Sequence, residues 1–92
     1  MKILIVDDER AIRNSLKEIL GDEGYDVDVA EDGATALAMV DKERYNVIFC
    51  DIKMPGMDGT EVLDKMVAEG IDSAIVMISG HGDIDTAVEC IK

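Results

Sequence analysis

The chain is poor in aromatic residues, with no Trp, two Tyr and one Phe in 92 positions. Any core must therefore be aliphatic, built from Ile, Val, Leu, Met and Ala. Apolar residues make up 48% of the chain, enough to furnish one. Basic residues are also scarce, 9 against 21 acidic ones. That balance argues against nucleic acid as a direct partner, because phosphate contacts need clustered Lys and Arg. No run approaches about 18 uninterrupted apolar residues, so no transmembrane helix is expected. The apolar stretch over residues 1–6 is too short, and too quickly followed by Asp7, Asp8 and Glu9, to read as a secretory signal. Cys50 and Cys90 have no metal-binding or redox spacing and read as reduced core residues. These exclusions fit a cytoplasmic protein with no membrane partner. At this length one domain is expected, burying only about 60–65% of its unfolded surface.

What is present is an alternation of short apolar runs with helical periods. Residues 3–6 form a continuous apolar run, as expected of a strand covered on both faces. Residues 9–20 then show helical spacing, with Ile12, Leu16, Ile19 and Leu20 on one face and Gly21 and Gly24 as stop signals. Residues 26–30 alternate polar and apolar, which predicts a strand with one wet face near a sheet edge. Asp32 is placed to cap a helix carrying Ala36, Leu37 and Val40 inward. Residues 47–50 predict a second buried strand, followed by a loop with Pro55, Gly56 and Gly59. Thr60 or Asp58 can cap the next helix, which carries Val62, Leu63, Met66 and Val67. Residues 74–78 predict a third buried strand, 79–82 a loop, and 83–92 the start of a fourth helix.

This βαβαβαβα order specifies an α/β fold, a doubly wound parallel sheet with helices on both faces. The edge-like second strand suits the order 2-1-3-4, with the first and third strands as central neighbours. Sites in such sheets lie outside the C-terminal ends of the strands, where the winding switches direction. Those two strands end in Asp7, Asp8 and Asp51. Three carboxylates at adjacent strand ends raise one another's pKa unless something neutralises them. A hard divalent cation with oxygen ligands does so, and Mg2+ fits because it accepts a few carboxylates and bridges to phosphate oxygens. The Lys53 backbone carbonyl is placed to be a further ligand. A carboxylate beside such a metal can act as a nucleophile toward phosphorus. The Ser79 hydroxyl, at the end of the fourth strand, can hydrogen-bond a phosphate oxygen.

Three segments carry a family resemblance: Ile3-Leu4-Ile5-Val6-Asp7-Asp8-Glu9, then Asp51-Ile52-Lys53-Met54-Pro55-Gly56-Met57-Asp58-Gly59, then Ile78-Ser79-Gly80. Over its whole length, residues 1–92, the chain resembles the receiver domain of two-component response regulators, which has a flavodoxin-like fold. The acidic doublet alone is weak evidence, whereas the Asp-x-x-Met-Pro-x-x-Asp-Gly run is highly specific. The resemblance implies that Asp51 is phosphorylated by a sensor histidine kinase. It implies that Asp7 and Asp8 hold Mg2+ and that Ser79 is a switch hydroxyl. His81 reads either as a residue screening the phosphoryl group from water or as an exposed loop histidine. The run from Met77 to Gly82, continued by Asp83-Ile84-Asp85-Thr86-Ala87-Val88, looks most like the nitrogen-regulation (NtrC/NtrX) subgroup. Regulators of that kind carry a sigma-54-dependent ATPase and a DNA-binding domain, which implies a transcriptional output.

The chain departs from the family pattern at its end. The fifth strand and fifth helix are missing, and with them the lysine and the aromatic switch residue of the fifth strand. The fourth strand is then expected to be an open edge that invites pairing with a second copy of the chain, through this strand and the fourth helix. Two further readings stay open. One is a truncated or engineered fragment that does not switch. The other is an aspartate-nucleophile phosphohydrolase, which would be an enzyme on outside substrates rather than a phosphoacceptor. Such enzymes place a second acid two residues after the nucleophile, where this chain has Lys53. Cys50 should point into the core, and Met54, Pro55 and Met57 should shape the loop by packing. Asp58 and Gly59 read as turn and cap.

Overall fold

The computed structural model describes residues 1–54 and 56–78. Its elements run in the order β1 (Lys2–Val6), α1 (Arg10–Asp22), β2 (Asp26–Ala30), α2 (Gly33–Lys42), β3 (Val47–Asp51), α3 (Gly59–Ala68) and β4 (Ala74–Ile78). The four strands form one parallel sheet in the order β2-β1-β3-β4, as the alternation of residue types predicts. Pro55, Ser79, His81, Cys90 and the helix expected over 83–92 lie outside the described residues.

Alternation along the central strands divides the core between two faces. Leu4, Val6, Ile48 and Cys50 pack with Ala36 and Val40 of α2 and with Val62 and Met66 of α3. Ile3, Ile5 and Phe49 point the other way, against Leu16 and Leu20 of α1. Each fully buried aliphatic side chain, such as Ile48, contributes about 1.5–3 kcal/mol relative to exposure. The helices are placed by local chemistry. Asp32 accepts the Thr35 N–H at 2.7 Å and caps α2. Asp58, rather than Thr60, caps α3 by accepting the Glu61 N–H at 3.0 Å, while the Thr60 hydroxyl donates to the same Asp58 oxygen. α1 begins at Arg10, with Glu9 as its N-cap residue, and runs through Gly21 to Asp22. Gly24 then turns the chain at φ +92°, a conformation costly for any side chain.

Several expected core positions are corrected. Ile19 is 40% exposed and Val67 is 64% exposed. Both lie on the flank of an apolar stripe that is narrower than the sequence spacing suggests. Leu37 and Leu63 are only half-buried. β4 is also less buried than a central strand. Ala74 is exposed, Ile75, Val76 and Met77 are half-buried, and Ile78 alone is buried. The reason is position, since among the described residues β4 pairs with β3 alone and forms the sheet edge. No helix among the described residues is long and apolar enough to cross a membrane.

Candidate functional site

The site is built where β1 and β3 end side by side. Val6 pairs with Cys50 across the ladder, so Asp7 and Asp51 emerge together at the C-terminal edge of the sheet. The Asp7 N–H donates to the Ala30 carbonyl at 3.1 Å, and the Ile52 N–H donates to the Ile78 carbonyl at 2.9 Å. Both residues are therefore anchored by continuations of the sheet hydrogen bonding. Asp8 follows on the connection to α1. One carboxylate oxygen each from Asp7, Asp8 and Asp51 lies within 4.8 Å of the other two. Asp7 is buried, Asp51 half-buried and Asp8 exposed, so the cluster opens to solvent on one side.

The electrostatics of this cluster are unfavourable on their own. Burial pushes the Asp7 carboxyl above its ordinary value, the Glu9 N–H hydrogen bond pulls it back, and the charges of Asp51, Asp8 and Glu9 push it up further. The Glu9 N–H reaches Asp7 Oδ1 at 2.9 Å. Converging hard oxygen donors with mutual repulsion fit a small divalent cation, which removes the repulsion that burial aggravates. Lys53 is exposed, and its N–H donates to Asp51 Oδ1 at 3.3 Å, which steadies the carboxylate at the start of the loop.

The neighbours of Asp51 are structural. Cys50 is 1% exposed, and burial, then the charges of Asp51 and Asp7, push its thiol up to about 12. It is a core residue, as its place in an apolar strand suggests. Met54 is buried and Met57 half-buried, and both pack against the α2–α3 side of the core. Asp58 is held below the ordinary carboxylate range by the Thr60 hydroxyl and the Glu61 N–H, in keeping with a cap. A cleft of about 320 Å³ lies at the other end of the sheet, lined in part by Tyr45, Ile71 and Ser73 ahead of β3 and β4. It shares no residue with the carboxylate cluster.

Three features are not legible in the sequence. The first is the function of Gly59 beyond its turn and cap role. A Cβ there would collide with the Asp51 carbonyl oxygen and come within 2.7 Å of Ile52 Cα, while the Gly59 N–H donates to the Ile52 carbonyl at 2.8 Å. The start of α3 is thus pressed against the backbone of Asp51. The second is Tyr45, which is buried and whose hydroxyl donates to Asp28 Oδ2 at 2.7 Å. The third is Arg13, whose Nη1 donates to the Asp7 carbonyl at 2.8 Å. A cation in the first turn of a helix opposes the macrodipole, but Arg10 shares that position, so no sequence signal singles out Arg13.

Comparison with known proteins agrees with this geometry. The response regulator receiver domain family matches residues 3–92. The nitrogen assimilation regulatory protein NtrX of Azorhizobium caulinodans is 49% identical over 92 residues, covering 98% of this chain and 20% of that protein. Sporulation initiation phosphotransferase F of Bacillus subtilis is 40% identical over 88 residues, covering 96% of this chain and 71% of that protein. The response regulator TrrA of Thermotoga maritima, solved in complex with Mg2+ and BeF, superposes with a TM-score of 0.85 at 31% identity, covering 98% of this chain and 95% of that one. The chain therefore spans only about a fifth of the NtrX relative but most of the two smaller proteins.

Proposed function

This chain belongs to the response regulator receiver domain family, a phosphoacceptor module of two-component signalling, and from that premise we propose that Asp51 is its phosphoacceptor and a sensor histidine kinase its donor. The observation that carries the reading is the convergence of the Asp7, Asp8 and Asp51 carboxylates within 4.8 Å at two adjacent strand ends. Asp7, Asp8, Asp51 and the Lys53 carbonyl would hold Mg2+. When bound, that ion supplies charge neutralisation for the phosphoryl oxygens. An Asp51 carboxylate oxygen forms the new bond to phosphorus, and the P–N bond of the donor phosphohistidine breaks. The departing imidazole nitrogen keeps the electron pair and takes up a proton. Asp7, held by the Glu9 N–H, stays fixed while Asp51 changes its chemistry.

The remaining assignments rest on the sequence. Ser79 would bind a phosphoryl oxygen and report the change, and His81 would screen the phosphoryl group from water. Residues 1–92 would act as one receiver domain in the cytoplasm. The NtrX likeness supports a transcriptional output in a longer protein, and the Mg2+ in the TrrA complex supports the metal assignment. The excess of acidic residues supports an indirect route to any nucleic acid. Among the described residues β4 pairs with β3 alone, which supports pairing with a second copy through this strand and the helix expected after it.

The test is incubation with Mg2+ and acetyl phosphate, followed by intact mass spectrometry. A single phosphoryl adduct, absent from Asp51→Asn, is expected. Labelling that persists in Asp51→Asn, or repeated turnover on outside phosphomonoesters, would overturn the reading.

A further inference from the structure

We propose that Arg13 is a positioning residue for the metal-binding carboxylate of Asp7, an inference that rests on the function proposed above. Three hydrogen bonds close a ring. The Glu9 N–H donates to Asp7 Oδ1 at 2.9 Å. The Arg13 N–H donates to the Glu9 carbonyl at 3.1 Å as the first bond of α1. Arg13 Nη1 then returns to the Asp7 carbonyl at 2.8 Å. Asp7 is thus gripped at its carboxylate from one side and at its carbonyl from the other, while its own N–H is tied to Ala30. The Asp7 backbone is tied on both sides, and its carboxylate is held at one oxygen.

α1 has no side-chain capping hydrogen bond and no acidic residue in its first turn. Arg13 stands there against the macrodipole and half-buried. A planar guanidinium aimed at one carbonyl is well suited to hold a short loop in register, and an ammonium does not reproduce that geometry. Partners that orient ligands from behind commonly influence metal affinity about 10–100-fold.

The experiment measures Mg2+ binding by calorimetry on the wild-type chain, Arg13→Ala and Arg13→Lys, with thermal midpoints recorded in chelator. Simple electrostatics and positioning predict opposite signs. Removing a cation beside three carboxylates should tighten Mg2+ if charge alone matters. Positioning instead predicts that Arg13→Ala weakens binding about tenfold. It also predicts weakening in Arg13→Lys, which keeps the charge and guards against a misfolded alanine variant. A second readout needs no metal. Hydrogen exchange at the Glu9 amide should accelerate in both variants by more than at core amides of β1. Unchanged or tighter Mg2+ binding in folded Arg13→Ala, or an unchanged Glu9 amide, overturns the proposal. Absence of Mg2+ binding by the wild-type chain would overturn the metal assignment itself, and the Glu9 amide would still decide whether Arg13 orders the loop.

Discussion

Replacement of Gly59 by alanine tests whether the start of α3 braces Asp51, the proposed phosphoacceptor. The new Cβ would meet the Asp51 carbonyl oxygen, Ile52 Cα at 2.7 Å and the Asp51 carbonyl carbon at 2.8 Å. All three atoms are backbone, so no side chain can swing aside. Relief requires α3 and the Asp51–Ile52 peptide to separate by about 1 Å, since carbon atoms prefer roughly 3.5–4.0 Å. Overpacking of this kind costs about 1–3 kcal/mol. Stretching the Gly59 N–H bond to the Ile52 carbonyl, 2.8 Å long, adds roughly 0.5–1.5 kcal/mol. The better helix propensity of alanine returns about 1 kcal/mol at most. A net loss of about 1–3 kcal/mol is expected, seen as a lower urea midpoint and a thermal midpoint lower by roughly 5–20 °C. Displacement of Asp51 by a fraction of an ångström should also slow its labelling by acetyl phosphate, by up to about 100-fold. Gly21→Ala is the control, because a Cβ at that helical position meets nothing within 4 Å. It should stabilise by about 0.5–1 kcal/mol and leave labelling unchanged. A Gly59→Ala chain as stable as wild type, with Asp51 labelled at the same rate, would refute the argument.

Tyr45→Phe removes the hydrogen bond to Asp28 and should cost about 1–2 kcal/mol in urea unfolding. Burial, then the Asp28 hydrogen bond, raises the Tyr45 phenol well above its ordinary value. The unfolded chain therefore releases that proton first, and stability present below about pH 10 falls as pH rises further. Lys2, raised chiefly by its Glu43 hydrogen bond, acts in the same direction, so Tyr45→Phe should flatten that alkaline limb without abolishing it. An equally steep limb in the variant would count against the assignment. In a Cys90→Ser background, Cys50 should react with a disulfide reagent at pH 8 about a thousandfold more slowly than in guanidinium, because its thiol is pushed up to about 12. Rapid labelling of the folded chain would contradict its burial.

Much of this molecule is written in side-chain type. The aliphatic runs at residues 3–6 and 47–50 announce buried parallel strands, and the acids that end them mark the edge where chemistry belongs. The cap at Asp32 is legible for the same reason, since a short acceptor before an apolar helical period has few other uses. Exposure at Ile19 and Val67 was not legible, because a helical stripe gives the direction of the core and not the width of what covers it. β4 shows the same limit, since its apolar run reads as a buried strand even though the expected strand order already places it at the edge.

The features hidden most completely share one physical cause. Gly59 and Arg13 both act on backbone atoms, the Asp51 and Ile52 backbone in one case and the Asp7 carbonyl in the other. Every residue offers a carbonyl, so such contacts leave no complementary residue type elsewhere in the chain. Yet these contacts fall on the backbone of the two strand ends that carry Asp7 and Asp51. One holds the β1–α1 connection, and the other sets how close α3 comes to the end of β3. Carboxylates in a loop would drift apart under their own repulsion unless the backbone beneath them were held. The acids therefore specify the chemistry, while a glycine without a side chain and an arginine directed at a carbonyl specify where the acids stand.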